Sequence, residues 1–599
     1  MAPTYTSTRV DTSHVGESSA ETGAAYLDIR SLLHALVVIA LIPLLSLPLA
    51  CRRKAAPPAP VAAPQPPAPE TARSQLGSRL EARHVASLAH PFIGDVAEEA
   101  EAVYAAREWK LLWTVGGRAT PQARAVEAYV ASSGDRGLVP ADYDAVTWVG
   151  RFDAAPLGSL DDRAELDLAF TASVMRIVHD LHHGRVNPND VDFEIEAGSG
   201  PLDIATFVAS LAIADDAAQR LSFIEPRYPG YERLIAALKQ YRAMSDDAEG
   251  IVVSEMRVVE PGSEYADVPK LVLLLRELGD LPPGEAPEDN ATLYTGGIVE
   301  AVRRFQARHG IESDGRIGPA TFRAINTPLS WRVRQIELTL ERWRWVPRRF
   351  ERPPVIVNIP EYSLRAFDAE GRPAVDMRVV VGRALRSPTP VLSGTIERVI
   401  FQPYWNVPYS ILKNEVLDGL DDTYLAENDM EIVDLGGKQR ALGDEALAGL
   451  RGGTLRLRQR PGARNSLGPV KFDFANEHSI YLHGTPSQAL FARSRRDFSH
   501  GCIRVEDPET LAVWLLRDEP EWTREKIRRA LAGGATRWVK LEHPTPVLLL
   551  YGTAMVREDG IVRFFDDIYG IDRVLDQALR KPRWQSPSKK PDALMAANR

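Results

Sequence analysis

From Leu76 to about Ser254 the chain spaces its apolar residues with the period of an amphipathic helix. The clearest stretch, AELDLAFTASVMRIVHDLHHG, keeps that spacing until it stops at Gly184, so a largely helical scaffold is expected over 76–254. In GGIVEAVRRFQARHGIESDGRIGPATFRAIN, Gly296 to Asn326, Ile298, Val302 and Phe305 form one helical stripe. Asp314-Gly315 and Gly318-Pro319 break it, and Pro319 is a good first residue for a second helix. A compact helix–turn–helix module is therefore assigned within 255–328, followed by a connecting helix over 329–352. At Pro353 the period changes. VIVNI, SLRAF, DMRVVVG and TIERVIF are short, β-rich and bounded by turns, and they predict a mostly-β domain over 353–535. A mixed, charged segment at about 412–467 reads as an insertion on that sheet, of the kind that often covers a site. An extension (536–580) and a disordered basic tail (581–599) complete an α+β multidomain architecture.

The N-terminal region breaks this pattern. LLHALVVIALIPLLSLPLAC, Leu32 to Cys51, is long and apolar enough for a membrane anchor or a signal segment. His34, Pro43 and Pro48 weaken it as a permanent spanning helix. LPLAC is similar to a lipoprotein cleavage site with Cys51 as the lipid-bearing residue. Cleavage of the segment 1–55, its retention as an anchor, and lipidation all stay open. The expectation is a periplasmic body, tethered to or exported across the inner membrane. The proline- and alanine-rich stretch 56–75 would serve as a semi-extended linker.

Composition narrows the partners. The 599 residues predict several domains, and 44% hydrophobic with 26% charged residues is ordinary for a globular protein. A net charge of −9 disfavours nucleic acid and anionic membrane surfaces. His179, His182 and His183 have a spacing that could hold a metal, but no acidic ligand completes the pattern, so they are assigned to a helix end with no metal site.

The candidate chemistry lies in FSHGCIRVEDP, Phe498 to Pro508. The chain has two cysteines, too few for a thiolate zinc site, and Cys502 has no disulfide partner in the body of the protein. It sits in a polar, glycine-containing turn that suits a reactive thiolate better than core packing. Two histidines are near. His483 lies 19 positions earlier, where SIYLH looks like a strand feeding a turn at Gly484. That strand could return the imidazole to Cys502. His500 shares the tight turn itself and is assigned to shaping it. His483 is therefore the expected base and Cys502 the expected nucleophile.

YLHGTPSQALFARSRRDFSHGCIRVEDP resembles the signature of the L,D-transpeptidases, the YkuD-type catalytic domain: HG, a spacer, then SHGC, a small apolar residue and Arg. WNVP, RQRPGARNSLGPVKF, HDLHHGRVNP and the tail PTPVLLLYGTAMVREDGIVRFFDDIYGID resemble the large multidomain Gram-negative subgroup. There a scaffold domain and a peptidoglycan-binding module precede the catalytic domain, and the insertion is a capping subdomain. The AV-x-x-FQ and DG-x-x-G residues of the helical module resemble the peptidoglycan-binding module, which either grips the wall or acts as a spacer.

The resemblance implies an acyltransferase of peptidoglycan and cell-wall biogenesis. It would work on stem peptides, need no cofactor, form 3→3 cross-links through a Cys502 thioester, release D-Ala and be acylated by carbapenems. Gly501 and Cys502 backbone N–H groups and the Tyr481 hydroxyl would hold the oxyanion. Ser499 would bond within the loop, and Arg504 would hold either the loop or a substrate carboxylate. Trp405, Asn406, Gly484 and Thr485 would bind substrate, with Trp405 as plain core equally compatible. The alternatives are an L,D-carboxypeptidase or cysteine peptidase using the same residues, and a non-catalytic wall-binding protein. The acceptor and the oligomeric state stay open.

Overall fold

The computed structural model describes residues 71–153, 158–195, 200–248, 250–284 and 292–582. The apolar run at Leu32–Cys51, Cys51 itself, most of the proline-rich linker and most of the basic tail lie outside them. The expected membrane tether is corrected on this point: among the described residues no helix is long and apolar enough to cross a membrane.

The helical region begins earlier than its apolar pattern suggests. Thr71 caps the helix Ala72–Ala82 in a reciprocal capping box with Ser74, so the linker expected through Gln75 is already helical at its end. Leu160–His183 is the central helix, started by a Ser159–Asp162 capping box and stopped at Gly184. Shorter helices surround its buried face, including Ala97–Ala106, Pro121–Ala131 and Ile204–Leu211. His182 Nε2 bonds the Gly200 carbonyl and His179 Nδ1 pairs with Asp180.

The small module holds helices Val268–Glu277, Gly297–Arg308 and Pro319–Ile325 around their own core. Its signature glutamine is structural. Gln306, 1% exposed, accepts from Gly315 N–H and donates to the Arg316 carbonyl and the Thr321 hydroxyl. FQ and DG-x-x-G thus belong to one hydrogen-bonded knot.

Helix Leu329–Trp345 joins these regions to the sheet. Its Glu341 accepts Val186 N–H and pairs with Arg344 in full burial. Its Arg342 pairs with Asp572 near the C-terminus.

The sheet has nine strands: β1 Val355–Asn358, β2 Ser363–Phe367, β3 Pro373–Gly382, β4 Leu392–Phe401, β5 Val470–Phe474, β6 Leu482–His483, β7 Asp497–Ser499, β8 Ile503–Val505 and β9 Arg537–Leu550. Their order is β7-β3-β8-β6-β5-β4-β9-β1-β2, and β2 also pairs with β3. Eight of them therefore close into a ring, with β7 attached outside it. Val379, Val381, Phe472, Leu482, Ile503 and Val505 fill its core. The ring needs β9, which sits between β4 and β1 yet lies beyond the boundary expected at 535.

The segment that looked irregular in sequence is folded. Trp405–Asn406, Leu455–Gln459, Met430–Asp434 and Gln439–Arg440 form a four-stranded sheet in that order. Short helices at Asp422–Glu427 and Asp444–Arg451 accompany it, and Leu412, Ile432, Leu450 and Leu457 form a separate core.

Candidate active site

Strand register assembles the site. β6 pairs in parallel with β8, matching Leu482 to Ile503 and His483 to Arg504. β5 pairs antiparallel with β6, matching Lys471 to His483. Side chains alternate along a strand. Leu482, Ile503 and Phe472 therefore point into the ring, while Lys471, Asp473, Tyr481, His483, Cys502 and Arg504 share its outer face. Cys502 occupies the turn between β7 and β8, and Gly501 supplies the backbone that this turn needs, at φ +117°.

His483 is 5% exposed, and its Nδ1 meets the Gly484 carbonyl at 2.6 Å. A carbonyl can only accept, so Nδ1 carries the proton and Nε2 keeps its lone pair. Burial, with the Arg504 cation nearby, lowers the imidazole pKa to about 3. Burial also raises the Cys502 thiol, partly offset by hydrogen bonds from Tyr481. The two groups thus rest as neutral thiol and neutral imidazole. No hydrogen bond joins them in this state. The thiol faces the Ser479 carbonyl at 3.8 Å, a contact that is long even for sulfur.

Tyr481 stands beside both. Its ring centroid is 5.7 Å from that of His483, and burial together with the neighbouring Cys502 thiol pushes its pKa up. Lys471 Nζ lies 4.0 Å over the Tyr481 ring and pairs with Asp473 at 2.9 Å. Arg504 has a buried Nε without a partner. Burial and the Arg383 cation hold its pKa below the usual arginine value, and no carboxylate offsets them. Such a guanidinium suits an incoming carboxylate.

The other expected residues divide. His500 points away from the thiol and bonds Glu415 on the inserted segment at 2.7 Å. Ser499 donates its hydroxyl to the Cys502 carbonyl at 2.6 Å and accepts Gly501 N–H at 3.1 Å. The Gly501 N–H is therefore engaged within the loop rather than directed at an oxyanion. Trp405 is half-buried against the core of the inserted segment, and Asn406 is exposed. Gly484 and Thr485 are buried, and the Thr485 hydroxyl accepts Ser487 N–H, so both shape the turn. Sequence reasoning passed over Arg383, Ser387 and Thr389, which bond Ser499 and Gly501 from a loop with no spacing signal, and Tyr569, which bonds Thr389 behind them.

Comparisons with known proteins agree on the domain types. The family model "L,D-transpeptidase catalytic domain" matches residues 353–536, "Scaffold domain" matches 98–238 and "Putative peptidoglycan binding domain" matches 264–325. A curated "Putative L,D-transpeptidase" of Haemophilus influenzae is 34% identical over 229 residues, covering 37% of this chain and 45% of that relative. Two solved structures are similar at low identity. One is an L,D-transpeptidase from Stackebrandtia nassauensis (12% identity, 50% of this chain, 97% of that one, TM-score 0.19). The other is an Ldtfm–avibactam carbamoyl enzyme (11%, 53%, 98%, TM-score 0.16). At such TM-scores neither likeness carries weight. The three matches give the chain a scaffold domain, then a peptidoglycan-binding domain, then an L,D-transpeptidase catalytic domain that holds the face bearing Cys502 and His483, and the chain spans less than half the length of its curated relative.

Proposed function

We propose that the protein is an L,D-transpeptidase that joins peptidoglycan stem peptides through a Cys502 thioester. The observation that carries this reading is the shared outer face of β5, β6 and β8, where Cys502, Tyr481, Arg504 and a tautomer-fixed His483 lie together.

A stem tetrapeptide binds with a carboxylate at Arg504. Cys502 Sγ attacks the carbonyl of the third residue, and its proton passes to His483 Nε2. The Cys502 N–H and the Tyr481 hydroxyl stabilise the oxyanion. The C–N bond to the terminal D-Ala breaks, and His483 delivers the proton to the leaving amine. The side-chain amine of a second stem then attacks the thioester, with His483 taking its proton. The S–C bond breaks, a 3→3 cross-link forms and the thiol is restored. The inserted segment caps the site through Glu415, and the module at 264–325 holds the wall.

The test is product analysis with a defined tetrapeptide donor and an amine acceptor. The expected product is the 3→3 dimer with release of D-Ala, abolished in Cys502→Ser because an alcohol here has no carboxylate-oriented base to activate it. A tripeptide product alone would instead identify a carboxypeptidase.

A further inference from the structure

Behind the Ser499–Cys502 turn lies a ring of hydroxyl and backbone groups that the chemistry above does not use. Thr389 is 1% exposed. Its hydroxyl donates to the Gly501 carbonyl at 2.7 Å and accepts Gly382 N–H at 2.9 Å. Its own N–H donates to the Tyr569 hydroxyl at 3.1 Å, and that hydroxyl donates to the Gly382 carbonyl at 2.7 Å. These bonds tie the end of β3, the loop after it, the turn bearing Cys502 and the C-terminal extension into one unit. Gly382 makes the approach possible: a Cβ there would lie 2.1 Å from the Ser387 carbonyl oxygen and 2.6 Å from Thr389 N.

The neighbouring peptide is clamped as well. Arg383 N–H and the Ser387 hydroxyl both donate to the Ser499 carbonyl, at 3.0 and 3.2 Å. Tyr569 is anchored in turn. Its N–H donates to the Tyr551 hydroxyl at 2.9 Å, which donates to Asp567 at 2.7 Å. Asp567 also accepts Asp572 N–H at 3.0 Å, and Asp572 pairs with Arg342 of the connecting helix. Burial pushes the Tyr569 pKa up to about 12, so its hydroxyl keeps the proton it donates.

The Gly501 carbonyl and the Cys502 N–H belong to the same peptide group. A trans peptide is planar, and its N–H points opposite to its C=O. Whatever holds the Gly501 carbonyl from behind therefore aims the Cys502 N–H forward. We infer that Thr389 and Tyr569 are positioning residues, which together aim the Cys502 amide at the oxyanion of the acyl-transfer step. Tyr569 does so from outside the catalytic-domain match at 353–536. The inference rests on Cys502 being the nucleophile.

The test uses the full chain with Thr389→Val, Thr389→Ser and Tyr569→Phe. Three rates or midpoints are read: single-turnover acylation by a tetrapeptide, alkylation of Cys502 by iodoacetamide, and thermal unfolding. Alkylation needs the thiol but forms no oxyanion. Thr389→Val and Tyr569→Phe are expected to slow acylation by about tenfold or more, toward the loss seen when an oxyanion donor is removed. Alkylation should stay at the wild-type rate, and Thr389→Ser should restore acylation. Wild-type acylation by Thr389→Val would overturn the inference. So would a parallel fall in acylation, alkylation and melting temperature, which would mark a merely structural role. Cys502→Ala is the separate control: continued transfer by that variant would remove the nucleophile itself, whatever Thr389 does.

Discussion

His483 carries the sharpest consequence at the scale of single residues. With Nδ1 committed to Gly484 and a pKa lowered to about 3, the imidazole is neutral throughout the ordinary pH range. It loses its acceptor lone pair only as pH falls toward that value. Single-turnover acylation should accordingly show no acid limb near pH 6.5, the unperturbed histidine value; a limb centred there would contradict the neutral pair. His483→Ala should slow acylation by about 10² to 10⁴. His500→Ala should slow it much less, because its ring faces Glu415 rather than the thiol. The reverse ranking would exchange the two roles. The sequence made Cys502 and His483 legible through their spacing and the strand before Gly484. It could not reveal where His500 points, since Glu415 lies 85 positions away. Thr389 and Tyr569 carried no signal at all, because a single threonine or tyrosine acquires its role only from partners 112 and 187 residues distant.

At the scale of elements, the first four sheet strands were legible because they are short runs, together rich in β-branched residues and bounded by turns. The inserted segment was not. Its helices and strands are at most eight residues long, and charged residues such as Glu431 and Arg458 interrupt the apolar positions within its strands, leaving no sustained period to detect. Its separate core predicts that removing Asn414–Arg464 spares the ring. Cys502 should still be alkylated, while capture of the donor weakens and KM rises. Loss of folding would mean that the segment supports the sheet. The helical module's motif was legible, but its physical meaning was not. Gln306 ties its helix to the following turn through Gly315 and Arg316 and to the next helix through Thr321. Gln306→Ala should destabilise the module by roughly 1–3 kcal/mol for each buried partner left unsatisfied. Hydrogen exchange over 264–325 should rise, and unchanged protection would refute the knot.

For the whole molecule, the division into domains by sequence pattern misses how the parts are joined. β9 closes the ring from beyond residue 536, and the helix Leu329–Trp345 buries Arg344 and Glu341 between the scaffold and the strands. Periodicity locates such elements but does not say which regions they bridge, since that depends on pairings between distant strands. A chain ending at residue 536 leaves β1 and β4 without their shared neighbour and should fail to fold, whereas one ending at residue 582 should fold and alkylate. A folded protein from the shorter chain would show that β9 is dispensable.

The central claim is that Cys502 forms a thioester with a stem peptide. Intact-protein mass spectrometry after brief mixing of the full chain with a tetrapeptide donor, without acceptor, tests it directly. The account predicts a mass increase equal to the donor less its terminal D-Ala, mapped to the peptide holding Cys502 and absent from Cys502→Ala. A folded protein that alkylates at Cys502 but never gains that mass would contradict it.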